Sequence, residues 1–371
     1  MLKKEKKIIT AVLLTLLFAA VWPEKTAPDR VTAADMTGFV NRLFKKKHLA
    51  GSVAVVRNGH VQVISCGLAR VRGRIKNGDR RILYPVASLQ KEVTGAMIIQ
   101  LMEEKKGSPA AFSEHTKISR WYPNLRDAGK ITVGELMSHT SGFLLPEVEV
   151  DRHVNYSEAR AISWLVNRLN QLPKDPVGTY HYSDVNYILL AGIIRKLTGK
   201  SYAWNFQQRV VRRLGLKSTC LGRPGKGRLL AESYCRKRGR DYQRPVSLTR
   251  SRLSQLVGAG NMLTTAGDFY TLQAALGTGE FLSPSAFYKQ THLKSKVNRY
   301  SGGLYLKKGG AVKLAYGAIN GAHYAAYFQL TADNKNGIVM LLNERSGGEN
   351  SVKSAGYKIL QEIMFDTFSK S

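Results

Sequence analysis

Acidic residues are scarce in this sequence relative to basic ones. Its 371 residues include 57 Lys and Arg but only 26 Asp and Glu, which gives a formal net charge of +31. Net charge bears on solubility and partners rather than on fold. An excess of this size favours an anionic partner, which could be nucleic acid, a lipid surface or a cell-wall polymer. The segment 209–252 is especially rich in Arg and Lys, and it could be a polyanion-binding groove or a solvated basic surface.

Cysteine is also rare, and the three cysteines are Cys66, Cys220 and Cys235. They form no C-x-x-C pair, so the sequence has neither a disulfide framework nor a zinc-binding pattern. Cys220 and Cys235 could pair with each other, but free thiols are the expectation. The histidines also lack metal-ligand spacing. We therefore expect no metal and no cofactor.

No hydrophobic run reaches the roughly 20 residues that a transmembrane helix usually needs. An uncharged run of fifteen residues at 8–22 follows four lysines within the first seven residues. A basic flank before an apolar run is typical of an export signal. We therefore expect a membrane anchor or a cleaved signal peptide at 1–24, followed by a linker at 25–35. The body would then be secreted or lie at the outer face of the cell membrane, which argues against nucleic acid as the partner.

Strand signals open and close the chain, and helix signals fill its middle. Two β-rich runs flank Asn58-Gly59, which favours a tight hairpin because both turn residues need positive φ. Residues 89–105 are apolar on almost every face, as in a buried helix. We predict an α/β (α+β) fold, with one antiparallel sheet built from N- and C-terminal strands and covered by helices. The domain at 36–371 would comprise an α/β part at about 36–87 and 296–371 and an inserted, mostly helical lobe at about 88–295.

The strongest chemical motif is Ser88-Leu89-Gln90-Lys91, where an extended stretch turns into the buried helix. The spacing of three places Ser88 and Lys91 on one helix face. A hydroxyl needs a base to become a nucleophile, and a lysine buried among apolar side chains can lose its charge and act as that base. Alone, the motif is also compatible with a serine N-cap followed by a solvated lysine.

A second motif, Tyr182-Ser183-Asp184, precedes another apolar helix at 187–195. A tyrosine beside Lys91 would be able to carry a proton to a leaving group. The alternative interpretation is that these residues only begin a helix, with Asp184 in its first turn.

Together these motifs resemble those of penicillin-binding proteins, class C-type β-lactamases and related esterases, in which S-x-x-K is followed by Y-x-N. Residues 131–142 are similar to the HTSG segment of that superfamily, and residues 258–268 to its GG-x-ST-x-x-D segment. The resemblance implies a β-lactamase/transpeptidase-like fold in which Ser88 is acylated. Lys91 and Tyr182 would share the acid and base work, and which of them is the working base stays open. His139 in the HTSG segment would be structural.

Two departures from that pattern bear on the substrate. Asp184 stands where the commoner motif has Asn, and the third motif, usually Lys- or His-x-Gly, aligns with Ala315-Tyr316-Gly317, in which Ala315 replaces the basic residue. In this alignment Ala318 supplies the second oxyanion-hole N–H beside that of Ser88. Loss of the cation should weaken binding of a substrate carboxylate, whereas Asp184 could attract a substrate ammonium group.

These departures resemble the teichoic-acid D-alanyl esterases of Gram-positive bacteria, whose second motif is also Y-S-D. The resemblance implies a serine esterase that forms an acyl-enzyme on Ser88 and removes D-alanine from teichoic or lipoteichoic acid. Such an anionic envelope polymer would suit the charge of +31. A DD-carboxypeptidase or β-lactamase that acts on peptidoglycan stems or penicillins is the second interpretation. The third is a catalytically inactive protein that binds a cell-wall polymer.

Overall fold

The computed structural model of the protein describes residues 33–246 and 248–368. The membrane anchor expected at 1–24 and most of the expected linker lie outside these residues. The first described helix runs from Ala33 to Lys47, so the last three residues of the expected linker are helical instead. Asp35 favours this early start because a carboxylate in the first turn stabilises the helix dipole. Within the described ranges, no helix combines the length and the apolar character that crossing a bilayer requires.

The strands and helices that the structure describes have the following bounds. The strands are β1 (Ala50–Arg57), β2 (His60–Cys66), β3 (Leu68–Arg70), β4 (Ile75–Lys76), β5 (Ile82–Pro85), β6 (Cys220–Leu221), β7 (Leu229–Leu230), β8 (Ser233–Lys237), β9 (Arg240–Val246), β10 (Met262–Thr264), β11 (Tyr300–Ser301), β12 (Leu304–Lys307), β13 (Val312–Ala318), β14 (Ala325–Thr331) and β15 (Gly337–Glu344). The α-helices are α1 (Ala33–Lys47), α2 (Gln90–Glu104), α3 (Val133–Met137), α4 (Glu158–Gln171), α5 (Asp184–Thr198), α6 (Tyr202–Phe206), α7 (Arg250–Gln255), α8 (Ala266–Ala275), α9 (Pro284–Thr291) and α10 (Glu349–Phe368).

A large, mainly antiparallel sheet forms the centre of the molecule. Its main path runs β11-β12-β13-β14-β15-β1-β2, so strands from the beginning and the end of the chain are neighbours. This arrangement confirms the predicted fold class. The predicted hairpin joins β1 to β2, where Asn58 and Gly59 have φ values of 49° and 81°. Both values lie in the left-handed region, as a type I′ turn requires.

Helices cover both faces of this sheet. The terminal helices α1 and α10 pack on one face through an apolar cluster that includes Met36, Phe44 and Ile359. Helix α8 and the rest of the helical lobe pack on the other face. Because both faces are covered, the central strands β1 and β15 are buried along nearly their whole length and consist of continuous apolar runs.

The lobe expected at 88–295 contains strands as well as helices. Strands β8 and β9 form a hairpin that joins the large sheet, where Tyr234 of β8 pairs in parallel with Glu344 of β15. Strands β6, β10, β5 and β7 form a smaller second sheet. These strands are short and take their partners from distant segments, so the local pattern of apolar residues did not mark them.

The three cysteines are free thiols. Cys66 is buried, and its thiol donates a hydrogen bond to the side-chain oxygen of Asn41 at 3.0 Å. Burial raises the pKa of Cys66 and of Cys220 to about 11, which keeps both thiols protonated and unreactive at neutral pH.

Two buried helices begin at the same place in the molecule. Helices α2 and α5 pack against each other, and both are buried over most of their length. Helix α2 continues from a short 3₁₀ turn after β5, and α5 begins directly after Ser183. The residues at these two helix starts are the ones that the S-x-x-K and Y-S-D motifs singled out.

Candidate active site

Ser88 lies in the 3₁₀ turn Ala87–Leu89, which joins β5 to α2. Ala87 has a φ of +47°, in the left-handed region that is strained for a residue with a Cβ. Packing holds this conformation in place, because Ala87 is buried against Ile319 and Tyr324. Ser88 itself is only partly buried and lines a cavity of about 490 Å³. The turn from strand to helix thus presents its hydroxyl to the cavity.

Lys91 lies one helical turn beyond Ser88 and is completely buried. Its Nζ lies 2.8 Å from the Oγ of Ser88, 3.1 Å from the carbonyl oxygen of Ala259 and 2.5 Å from the Oδ1 of Asp184. These three acceptors match the three N–H donors of an ammonium group. The amine is therefore in direct contact with the hydroxyl of the motif.

The segment 258–262 holds α2 in this position. Thr94 donates a hydrogen bond to the carbonyl oxygen of Gly258 at 2.6 Å. The side chain of Gln90 donates to Asn261 at 2.9 Å and accepts from the backbone N–H of Met262 at 2.8 Å. Buried polar groups that are paired in this way specify a single arrangement. The segment that resembles GG-x-ST-x-x-D therefore orients Lys91, which donates to the carbonyl oxygen of its second residue, Ala259.

Asp184 is the first residue of α5, where the helix dipole favours a negative charge, and it is only 7% exposed. Burial alone would lower the pKa of Lys91, but the carboxylate of Asp184 and the neighbouring Tyr182 more than offset this effect. The pKa of Lys91 is therefore raised. Lys91 rests as an ammonium ion paired with Asp184, so the carboxylate expected to attract a substrate ammonium group is already engaged.

Tyr182 lies beside this ion pair, with its ring centroid 5.0 Å from the Nζ of Lys91. Burial of its hydroxyl raises the pKa of Tyr182, and the charge of Asp184 acts in the same direction. The charge of Lys91 and hydrogen bonds with Ser88 and Lys91 lower it, and the net result is a raised pKa. Tyr182 is thus a neutral phenol at neutral pH. The structure brings together the hydroxyl, the amine and the phenol that the sequence placed far apart.

His139 supports Tyr182 from within the protein. It is fully buried, and its ring centroid lies 4.3 Å from that of Tyr182. Burial, and then the charge of Lys91, holds the pKa of His139 well below its ordinary value, so the ring is neutral. Its Nδ1 accepts hydrogen bonds from the N–H of Ser183 at 3.3 Å and from the side-chain amide of Asn186 at 3.0 Å. His139 positions the Y-S-D motif rather than contacting the nucleophile.

Strand β13 forms the opposite wall of the cavity. Strand β12 pairs with β13 only as far as Leu314, whereas β14 pairs with it as far as Ala318. One edge of residues 315–318 is therefore without a strand partner, and these residues line the cavity with Ser88. A Cβ on Gly317 would lie 2.8 Å from the amide nitrogen of Ser88, so only glycine fits there. This close approach makes the N–H groups of Ser88 and Ala318 near neighbours, as a two-donor oxyanion hole requires.

Four charged residues of the cavity were not identified from the sequence. They are Glu149, at the end of the 3₁₀ turn Pro146–Glu149, Lys307 at the end of β12, and Glu349 and Lys353 on α10. Burial and the charge of Asp184 raise the pKa of Glu149 to about 7. No sequence motif marks these positions, because they come from three distant segments that meet only when the sheet has formed.

The arrangement is suited to acyl transfer. A nucleophilic hydroxyl contacts an amine and a phenol that can exchange its proton, and Ser88 and Ala318, whose N–H groups would form an oxyanion hole, line the same cavity. All of these groups line or adjoin one open cavity. The same geometry is compatible with an ester, an amide or a β-lactam as the acyl donor.

Sequence comparison shows relatives over most of the chain. Residues 29–361 match the Beta-lactamase family. The teichoic acid D-alanine hydrolase of Staphylococcus aureus is 25% identical over 332 residues, which cover 87% of this chain and 77% of that protein. Both findings agree with the resemblance drawn from the S-x-x-K, Y-x-N and HTSG-like segments.

Solved structures share the fold. The crystal structure of FmtA from Staphylococcus aureus has a TM-score of 0.72 at 24% identity and covers 93% of this chain and 92% of its own. The D-amino acid amidase from Ochrobactrum anthropi SV3 has a TM-score of 0.72 at 19% identity, with 91% and 98% covered. A penicillin binding protein from Bacillus halodurans has a TM-score of 0.68 at 20% identity, with 85% and 97% covered. The serine and the lysine of the S-x-x-K motif are in contact, and the family match spans most of the chain. This protein therefore belongs to the β-lactamase family and is a serine hydrolase of that family.

Proposed function

We propose that this protein is an exported serine esterase that forms an acyl-enzyme on Ser88 and removes D-alanine from teichoic or lipoteichoic acid. The observation that carries the proposal is the distribution of charge around the nucleophile. Strand β13 has Ala315 where the third motif of the family has a cation, and the carboxylate of Glu149 lines the same cavity. Such a cavity suits an ester that carries an ammonium group and no carboxylate.

The geometry supports a two-step reaction. In molecules in which Lys91 has given up a proton, the Oγ of Ser88 attacks the ester carbonyl carbon while its proton passes to Lys91, directly or through Tyr182. The N–H groups of Ser88 and Ala318 stabilise the charge on the carbonyl oxygen. The bond to the polymer oxygen then breaks, and the polymer hydroxyl leaves with that proton, so D-alanine remains as an ester on Ser88. Water attacks this ester in the second step, gives up a proton through the same pair, and releases D-alanine and the Ser88 hydroxyl.

The relatives support the choice of acyl group. A protein that is 25% identical over most of this chain is named a teichoic acid D-alanine hydrolase. A D-alanyl ester has a free ammonium group next to the carbonyl carbon and no free carboxylate. The absence of a third-motif cation on β13 and the presence of Glu149 are both consistent with that substrate.

Charge supports the choice of polymer. Teichoic acids are chains of phosphodiesters, and a protein with a net charge of +31 would be attracted to them over several ångströms at moderate salt. Two cavity residues, Lys307 and Lys353, add positive charge near the nucleophile. The basic flank and apolar run at the N-terminus support the export that this substrate requires.

The proposal is tested by D-alanine release from purified lipoteichoic acid. Ser88→Ala should abolish release, because no other described hydroxyl takes the place of Ser88 against Lys91. Ser354→Ala, which changes an exposed serine on α10, is the matched control and should release D-alanine at the wild-type rate. Trapped wild-type enzyme should carry one alanyl group on Ser88 by mass spectrometry. Release by Ser88→Ala at the wild-type rate would refute the mechanism, and failure of a fluorophosphonate to label Ser88 would indicate an inactive polymer-binding protein.

A DD-carboxypeptidase or β-lactamase is the second candidate, and one observation favours it. The Nζ of Lys353 lies 5.8 Å from the ring centroid of Tyr316, so a cation from α10 reaches the position of the third motif. Lys353 is ion-paired with Glu349, however, which offsets its charge. Rapid hydrolysis of nitrocefin, or trimming of a pentapeptide stem without release of D-alanine from polymer, would establish this alternative.

A further inference from the structure

Glu149 lines the cavity with Ser88 and Tyr182 but takes no part in the transfer of the Ser88 proton. It ends the 3₁₀ turn Pro146–Glu149, in a loop between α3 and α4. The side chain is neither fully buried nor freely exposed. Partial burial disfavours the charged form of a carboxylate. The position of Glu149 beside the nucleophile therefore calls for a functional explanation.

The carboxylate of Glu149 is oriented by one neutral donor. The side-chain amide of Asn320 donates a hydrogen bond to Oε2 of Glu149 at 2.5 Å. Arg252 in turn donates to the carbonyl oxygen of Asn320. Within the described ranges Oε1 of Glu149 has no hydrogen-bond partner. The carboxylate is therefore held in one orientation with an acceptor oxygen still available.

The surroundings of Glu149 favour an added cation. Burial and repulsion from Asp184 raise the pKa of Glu149 to about 7, although the charges of Lys91 and Arg252 and the hydrogen bond from Asn320 act in the opposite direction. Asp184 is already paired with Lys91 at 2.5 Å, so its charge is not available to a substrate. Pairing with a cation from the substrate would remove the cost of burying the charge on Glu149.

We propose that Glu149 binds the α-ammonium group of an aminoacyl ester while Ser88 attacks its carbonyl carbon, the role that the sequence suggested for Asp184. The inference rests on the proposed esterase function and adds to it the residue that selects aminoacyl over simple acyl groups. The α-ammonium group is one carbon away from the reacting carbonyl carbon. An ammonium-binding carboxylate must therefore line the same cavity as the nucleophile, and Glu149 does.

The test compares two glycerol esters that differ only in the ammonium group, the D-alanyl ester and the propionyl ester. In the full-length protein Glu149→Gln should raise KM for the D-alanyl ester about 10- to 100-fold, the size expected for loss of a charge-assisted hydrogen bond. It should leave kcat/KM for the propionyl ester within about twofold of wild type. A KM for the D-alanyl ester that stays at the wild-type value, or an equal loss with both esters, would overturn the inference.

Glu147→Gln is the matched control. Glu147 lies two residues earlier in the same 3₁₀ turn, is exposed, and pairs with Arg168 at 3.4 Å. It should leave both esters unaffected. For the wild type, KM for the D-alanyl ester should also rise as the pH falls below about 7, because protonation of Glu149 removes its charge, and Glu149→Gln should abolish this rise.

The two esters also distinguish failure of the proposed function from failure of the role of Glu149. If the wild type hydrolyses neither ester nor releases D-alanine from polymer, the proposed function fails. If the wild type hydrolyses both esters and Glu149→Gln does not discriminate between them, only the role of Glu149 fails. Fluorophosphonate labelling of Ser88 in each variant shows that the active site has folded.

Discussion

The charge on Lys91 limits how Ser88 can lose its proton. An ammonium ion cannot accept a proton, and the carboxylate of Asp184 keeps Lys91 in that form. Lys91 can therefore act as the base only in molecules in which it has given up a proton. Tyr182 is also protonated at neutral pH, because its pKa is raised. The replacement of the family's Asn by Asp184 thus makes the base harder to generate.

Asp184→Asn should reverse this effect. Without the nearby carboxylate the pKa of Lys91 falls, so the limb of the kcat/KM profile that rises with pH should move to lower pH by about 1 to 3 pH units. The profile is best measured with the propionyl ester, which lacks an ammonium group and so does not depend on the charge of Glu149. Asp333→Asn, an exposed carboxylate in the turn between β14 and β15, should keep the wild-type profile. A limb that stays in place in Asp184→Asn would show that ionisation of Lys91 does not control the rate.

At the scale of single elements, the turn of the β8–β9 hairpin concentrates positive charge. At the other end of the hairpin, Val246 of β9 and the nearby Leu248 pack against the apolar cluster that contains Ala87, the residue before the nucleophile. Asp241 on the hairpin pairs with His48 at 3.1 Å and so joins it to the basic end of α1. The exposed cations around its turn, here called the cationic hairpin, are Arg236, Lys237, Arg238 and Arg240.

Replacement of all four residues of the cationic hairpin by Gln should weaken binding of the protein to lipoteichoic acid and make that binding less sensitive to salt, because exposed charges act through screened Coulomb attraction. Turnover of the small D-alanyl ester should not change. Binding can be measured by sedimentation with lipoteichoic acid micelles at several salt concentrations.

The control removes the same charge from exposed lysines outside the hairpin, namely Lys106, Lys117, Lys130 and Lys294. This variant should bind lipoteichoic acid more tightly than the hairpin variant does. Equal binding by the two variants would mean that only net charge matters and that the hairpin is not a docking surface.

At the scale of the whole molecule, two buried residues of opposite charge, bridged by Gln273, join the helical lobe to the sheet. Glu92 of α2 and Lys313 of β13 are both buried. The side-chain amide of Gln273 donates to Glu92, and the backbone carbonyl of the same residue accepts from Lys313 at 3.1 Å. Burial raises the pKa of Glu92 and lowers that of Lys313, while each charge opposes the shift of the other. Through Gln273, Glu92 and Lys313 link the helix that carries Lys91 to the strand that carries Gly317.

Lys313→Met should lower the free energy of unfolding by about 3–5 kcal/mol, because it leaves the buried carboxylate of Glu92 without its cation. The double variant Glu92→Gln with Lys313→Met should recover most of this loss, since no buried charge remains. Urea denaturation measures both. A single variant as stable as the wild type would show that water or a rearranged side chain already compensates Glu92.

Features that depend on neighbours in the chain were predictable from the sequence. The Asn58-Gly59 hairpin follows from turn chemistry, and the contact of Ser88 with Lys91 follows from their spacing on a helix. The sequence suggested Asp184 as a group that could attract a substrate ammonium group, and only the structure shows that it is paired with Lys91 instead. Glu149 was missed because it ends a loop turn that has neither periodicity nor a motif.

By itself the sequence determined the elements and the chemistry they carry: an apolar helix headed by a serine and a lysine, a second one headed by a tyrosine and an aspartate, and a strong positive charge. Only the tertiary structure decided which carboxylate faces the cavity and which neutralises the lysine. The physical reason is that the charge state of a buried group depends on its distance from other charges and from water, and these distances are set when α2, α5 and β13 pack together.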